Sequence, residues 1–162
     1  EKLEKGDLVS DFKDELIVKE LQLLTAKKQI YLLNGKQEDV GDSLKQKIAS
    51  LNSSYVVSDL FVAEDIPELI RKAYEVLDLI SFFTTGEEES RAWTIKRGWK
   101  APQASGVIHT DFEKKFIRAE IVSTEKLLEC GSWVKAKEKG LIRIEGKEYE
   151  VKDGDVLVVR HS

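Results

Sequence analysis

Two stretches of the chain carry side chains whose types and spacing could do chemistry. The first is Asn34-Gly-Lys-Gln37-Glu38, which follows the apolar run Gln29-Ile-Tyr-Leu-Leu33. Carboxamides at Asn34 and Gln37 can donate and accept hydrogen bonds, and a carboxylate at Glu38 can accept them, along the edge of a nucleotide base. Asn34-Gly35 also makes a turn unaided, because asparagine and glycine tolerate positive φ. Both readings stand. The second stretch, Arg91 to Arg118, holds Arg91, Lys96, Arg97, Lys100, Lys114, Lys115 and Arg118 against two acids, Asp111 and Glu113. Cations gathered in this way attract phosphate, so they form a candidate surface for RNA or another polyanion; a solvated face is the plain alternative. Trp99, after the turn at Gly98, reads as an exposed aromatic able to stack on a base. Trp93 sits inside a strand pattern and reads as core.

Other reactive residues lack partners. His109 could move a proton, but no nucleophile or ligand cluster accompanies it, and its place before Thr110-Asp111 suits a helix cap. The one cysteine, Cys130, next to Gly131 in a predicted loop, cannot form an internal disulfide or a structural zinc site by itself, and it fits a reducing cytoplasm. No G-x-x-x-x-G-K-[ST] occurs in the 162 residues, so they contain no phosphate cradle and no hydroxyl for Mg²⁺. No catalytic residue and no metal ligand is therefore assigned, and the chain alone is not expected to turn over a nucleotide or to carry a cofactor.

The elements that must position these groups fall into two patterns. Residues 11–24 space their apolar side chains as a helix, residues 29–33 and 55–57 read as short strands, and residues 41–51 as a helix between them: the strand, helix, strand unit of a parallel sheet. Asp65-Ile-Pro-Glu68 supplies a cap and a first-turn proline for a helix predicted over 67–83. Thr84 to Glu89 interrupts the apolar pattern and reads as a hinge. Beyond it come a strand at 92–95, a short helix at 101–109, and an alternating strand at 116–122 with Phe116, Arg118 and Glu120 on one side. Small helices at 124–129 and 132–139 and strands at 141–144, 149–151 and 156–159 follow. The expected fold class is α+β: a partial α/β segment over 1–83 and a β-grasp domain over 84–162. Charge divides along the same line. Residues 1–83 hold 11 Lys/Arg against 16 Asp/Glu, and residues 84–162 hold 15 against 14. The chain starts at Glu1 without a signal-like or membrane-spanning apolar run, and reads as a piece of a longer protein.

The second half carries a family signature: Phe82-Phe-Thr-Thr-Gly86, Arg91-Ala-Trp-Thr-Ile95, Lys100-Ala-Pro-Gln-Ala104, Gly106 to Glu120, Glu145-Gly-Lys147, Tyr149, Val151 and Asp153-Gly-Asp-Val156. This resembles the TGS domain at the C-terminal end of the YchF/Obg-like ATPase family. Leu23-Leu-Thr-Ala-Lys27 with Ile30 to Asn34 is similar to the family's approach to its base-recognition motif, where Asn and a Glu three residues later read the purine; here that later position is Gln37, with Glu38 beside it. Ser58-Asp59-Leu60 is the counterpart of its next nucleotide loop. The resemblance implies ribosome association and, in the full-length family, ATP or GTP with Mg²⁺. Neither a membrane nor DNA is an expected partner.

Overall fold

A computed structural model describes residues 1–5, 7–59, 66–86 and 89–162. The chain forms two compact units, Glu1–Leu77 and Asp78–Ser162. The division falls six residues before the expected boundary at 83/84, because a strand that starts at Leu79 belongs wholly to the second unit.

In the first unit, β1 (Ile30–Asn34) and β2 (Ser54–Ser58) pair in parallel, with Ile30 opposite Ser54 and Asn34 opposite Ser58. A crossover helix, α2 (Asp42–Ser50), joins them and buries Ile48. The strand, helix, strand reading is what the chain adopts here. The helix expected over 11–24 is not. Only α1 (Leu16–Leu21) forms, between short 3-10 turns at Ser10–Phe12 and Leu24–Ala26, and Gln22 at φ 51° ends it. Leu16, Ile17, Leu21 and Leu24 are all exposed, so no buried stripe holds a longer helix together, and short helices are marginal without one.

A third helix, α3 (Ile66–Leu77), is shorter than expected. Asp78 adopts φ 57° and the chain then runs straight as β3 (Leu79–Thr85). Ile80, three residues after Leu77, continues the helical spacing by coincidence and is in fact 1 % exposed in the core of the second unit. The expected N-cap, Asp65, lies outside the described residues, as do Leu60 of the second nucleotide-loop counterpart and Glu87 and Glu88 of the acidic break.

The second unit is one mixed five-stranded sheet in the order β4 (Ser90–Lys96), β3, β7 (Asp155–His161), β5 (Phe116–Ser123), β6 (Arg143–Glu145), with helices on it. β4 runs antiparallel to β3, from Thr85 opposite Ser90 to Leu79 opposite Lys96. Thr84 and Thr85 of the expected hinge pair with Arg91 and Ser90, and Gly86 N–H donates to the Glu89 carbonyl at 2.9 Å, so these residues belong to the β3–β4 pairing. The last strand, β7, lies between β3 in parallel and β5 antiparallel. β6 closes the far edge. Lys100 and Glu150 form an isolated bridge where a further strand was expected.

One face of this sheet presents Ile80, Phe82, Ile95, Ala119, Ile121 and Leu157 to α4 (Ala101–Ile108), whose Ala101 and Ala104 are fully buried. Helices α5 (Thr110–Lys114), α6 (Thr124–Cys130) and α7 (Trp133–Glu138) complete the unit. Gly131 at φ 77° and Gly140 at φ 67° stop the last two, as a left-handed C′ residue does. Cys130 is the buried final residue of α6, not a loop thiol. In β5 the ladder shifts register between Phe116 and Arg118. That bulge puts Phe116 on the core side with Ala119 and Ile121, leaves Ile117 exposed, and overturns the expected alternation of Phe116 with Arg118 and Glu120.

Candidate functional site

Asn34 ends β1, at the carboxyl end of the parallel pair, which is where ligands enter open α/β sheets. It lines a depression of about 280 Å³ together with Gly35, Lys36, Asp39 and Leu44. Gln37 and Glu38 occupy a 3-10 turn over Gln37–Asp39. Gln37 lines a different depression, beside Ser53, Tyr55, Glu68 and Lys72, and exposed Glu38 lines neither. The carboxylate that shares a cavity with Asn34 is Asp39, whose Oδ2 accepts the Lys36 N–H at 3.1 Å. Its spacing from Lys36 is that of a reciprocal helix-start contact, a signal legible in Gly35-Lys-Gln-Glu-Asp39.

The seven cations between Arg91 and Arg118 occupy three settings. Arg91, on β4, lies over the Trp93 ring at 4.4 Å, and Trp93 Nε1 donates to Thr84 Oγ1 at 2.9 Å. Strand alternation places Lys96 on the opposite face of β4 from Arg91. Arg97 and Lys100 are paired. Arg97 Nε meets Asp78 Oδ1 at 3.3 Å, and Lys100 Nζ donates to Glu148 Oε2. That hydrogen bond raises the Lys100 pKa and lowers the Glu148 pKa. Lys114, Lys115 and Arg118 cluster where α5 feeds β5, all exposed and without an ion pair among the described residues.

β3 and β7 separate β4 from β5; at about 4.8 Å per strand the two basic rows stand roughly 14 Å apart. Trp99 is half-buried against the core, so it is not the exposed aromatic that its neighbours suggested. Its carbonyl accepts the Val151 N–H at 3.0 Å, which ties it to the chain crossing beside it. Trp93 packs partly against the same core, as expected.

His109 is a cap. Its Nδ1 accepts the Asp111 N–H at 3.2 Å and starts α5. A polar network that the sequence did not disclose sits at the other end of the sheet. Tyr149 donates to Asp155 Oδ2 at 2.8 Å, Lys152 N–H donates to the same oxygen at 2.9 Å, and Arg143 Nη2 donates to the Tyr149 oxygen at 3.0 Å. Asp155 is 3 % exposed. Burial, and then the bond to Asp155, hold the Tyr149 phenol well above its ordinary pKa of 10.0. Asp153-Gly-Asp155 was the available signal, as a turn beside a strand. Across β5 and β7, Arg160 grips Glu120 through Nε at 3.0 Å and Nη2 at 3.3 Å, which lowers the Glu120 pKa.

No group of three or more His, Cys, Asp or Glu among the described residues is placed to hold a metal ion. Among them, too, no helix is long and apolar enough to cross a membrane. What the geometry defines is a mixed α+β chain whose second unit carries cations on a packed sheet.

Comparison with known proteins agrees. A model of the YchF GTPase C-terminal family, described as a protein of unknown function (DUF933), matches residues 79–162. This is 84 of the 162 residues, and the chain belongs to that family. It is 38 % identical over 176 aligned residues to the ribosome-binding ATPase YchF of Bacillus subtilis, covering 90 % of this chain and 48 % of that protein. To Obg-like ATPase 1 of Danio rerio it is 42 % identical over 127 residues, covering 78 % and 30 %. The solved structure of the Schizosaccharomyces pombe YchF GTPase superposes with a TM-score of 0.72 at 34 % identity, covering 89 % of this chain and 46 % of that one. The chain thus spans about half, or less, of the length of these relatives.

Proposed function

We propose that this chain is the C-terminal part of a YchF-like, translation-associated ATP- or GTP-binding protein. Its second unit, drawn from sequence at 84–162, acts as a TGS-type β-grasp module that contacts the ribosome or its RNA. Residues 1–83 are then part of an α/β nucleotide-binding domain, and the protein works in the cytoplasm. One observation carries the reading: the family match over 79–162 joins this chain to relatives named ribosome-binding ATPases. The cations Arg91, Lys96, Arg97, Lys100, Lys114, Lys115 and Arg118 supply the attraction to phosphate, with Lys114, Lys115 and Arg118 gathered most closely in sequence.

Nucleotide chemistry is assigned to a region outside these residues, since the phosphate cradle is missing from them. Asn34, with Asp39 beside it and Gln37 and Glu38 following, supplies at most contacts to a base. The second reading, favoured by the relatives' names, is a complete ATPase or GTPase whose P-loop lies upstream. Turnover assays separate the parts. The 162-residue chain incubated with MgATP or MgGTP is expected to release no phosphate, and a longer protein carrying a Walker A motif is expected to release it. Metal-dependent hydrolysis by the chain alone, lost in Asn34→Ala, would overturn this assignment.

A further inference from the structure

Trp99 is half-buried against the core, and another group of rings lies at the corner where α5 meets the end of β7. Phe112 and His161 stack with ring centroids 4.5 Å apart and planes 23° apart, and His109 leans on Phe112 at 5.7 Å. Both histidines of the chain are gathered here. Phe112 is half-buried yet stands outside the hydrophobic core, so its ring serves this stack. His161 is exposed.

The same corner holds the unpaired cations. Lys114 ends α5, Lys115 follows it as the cap, and Arg118 begins the regular part of β5 just past the bulge. In the β5/β7 ladder Arg118 stands directly opposite Arg160. Like charges so placed repel. Glu120 is hydrogen-bonded to Arg160 and also attracts Arg118, which makes no close ion pair of its own among the described residues. The nearby acids are Asp111 and Glu113 on α5 and the already engaged Glu120. Arg118 and Arg160 face away from the core, and the Phe112–His161 stack lies on the side of Phe116, so the cations and the rings flank the sheet end from its two faces.

We infer that this corner binds unpaired RNA: a base stacks on the open face of His161, extending the Phe112–His161 stack, while Lys115 and Arg118 hold the neighbouring phosphates. The inference rests on the proposal that the second unit contacts RNA, and it narrows the partner to single-stranded segments. Bases within a duplex are stacked on each other and offer no free face, whereas a splayed base stacks on an aromatic ring whatever its identity.

Fluorescence anisotropy with a labelled short oligouridylate and an RNA duplex of the same length tests it, using the full chain and a salt series. His161→Ala should weaken oligouridylate binding about fivefold or more, as loss of roughly 1 kcal/mol or more of base stacking does, with the salt slope unchanged. His161→Phe should restore it, and a merely structural role for the imidazole would not predict that rescue. Lys115→Gln combined with Arg118→Gln should reduce the salt slope by about 1.4, or about 0.7 per phosphate contact on a single strand. If His161→Ala binds like the parent while the double variant weakens, stacking is wrong and the RNA reading stands. Preference for the duplex would likewise overturn the inference alone. If the parent binds neither RNA at low salt, both fall.

Discussion

Removing one hydroxyl, in Tyr149→Phe, tests whether the network around Asp155 holds the second unit together. The ring and its packing remain, but the Asp155 carboxylate, 3 % exposed, loses the donor at 2.8 Å. It keeps the Lys152 N–H at 2.9 Å and a guanidinium nitrogen of Arg143 at 3.7 Å. A hydrogen bond to a buried charged group contributes about 1.5–3 kcal/mol, so the variant should lose that much. For a domain of this size the melting temperature should fall by roughly 6–24 °C. All three tryptophans, Trp93, Trp99 and Trp133, lie in the second unit, so urea unfolding followed by tryptophan fluorescence reports this unit alone.

The pH dependence supplies an internal check. The folded phenol has its pKa raised above the unfolded value near 10.0. Its contribution is therefore complete below about pH 10 and is lost as pH rises through the folded value. The gap between parent and variant should hold from pH 7 to 9 and shrink above pH 10. A loss below about 0.5 kcal/mol at pH 7, well under the expected range, or a gap that widens in alkali, would refute the reasoning.

Two further substitutions probe the elements that carry the surface. Phe82→Ala empties a fully buried position at the centre of the sheet and should cost about 3–5 kcal/mol in the same urea experiment, enough to bring the unit close to unfolding. Ser132→Ala removes the side chain that accepts the Lys135 N–H at 3.2 Å and caps α7; about 1 kcal/mol should be lost, with RNA binding at the α5 corner unchanged.

Where local pattern and packing agreed, the sequence was informative. Residues 29–33 and 55–57 read as strands because short β-branched and apolar runs ending in turn residues have few other uses, and the strands form within a residue or so of those bounds, at Ile30–Asn34 and Ser54–Ser58. Trp93 read as core for the same reason. The failures have separate physical causes. Leu77 and Ile80 keep helical spacing across a break that only the left-handed Asp78 marks, so the helix looked longer than it is. One inserted residue at the β5 bulge reverses which side chains face the core, and alternation carries no sign of it.

Trp99 stands between cations in sequence, yet it is held half-buried by Val151, a contact 52 positions away that no local pattern encodes. The pairing of Lys100 with Glu148, across 48 positions, is equally non-local. The basic stretch was therefore visible as composition, while the division into paired and unpaired cations was not. The stacking pair of Phe112 with His161 was hidden for the same reason, its members being brought together by α5 packing against the end of β7.

The central claim is that the second unit of this chain contacts the ribosome through its cations. Co-sedimentation of the full chain with purified ribosomes across a salt series tests it most directly. Binding should be present at low salt, fall steeply as salt rises, and weaken when Lys114, Lys115 and Arg118 are neutralised together while the tryptophan-monitored fold is retained. Ribosome binding that ignores both salt and these substitutions, or no binding at low salt, would contradict it.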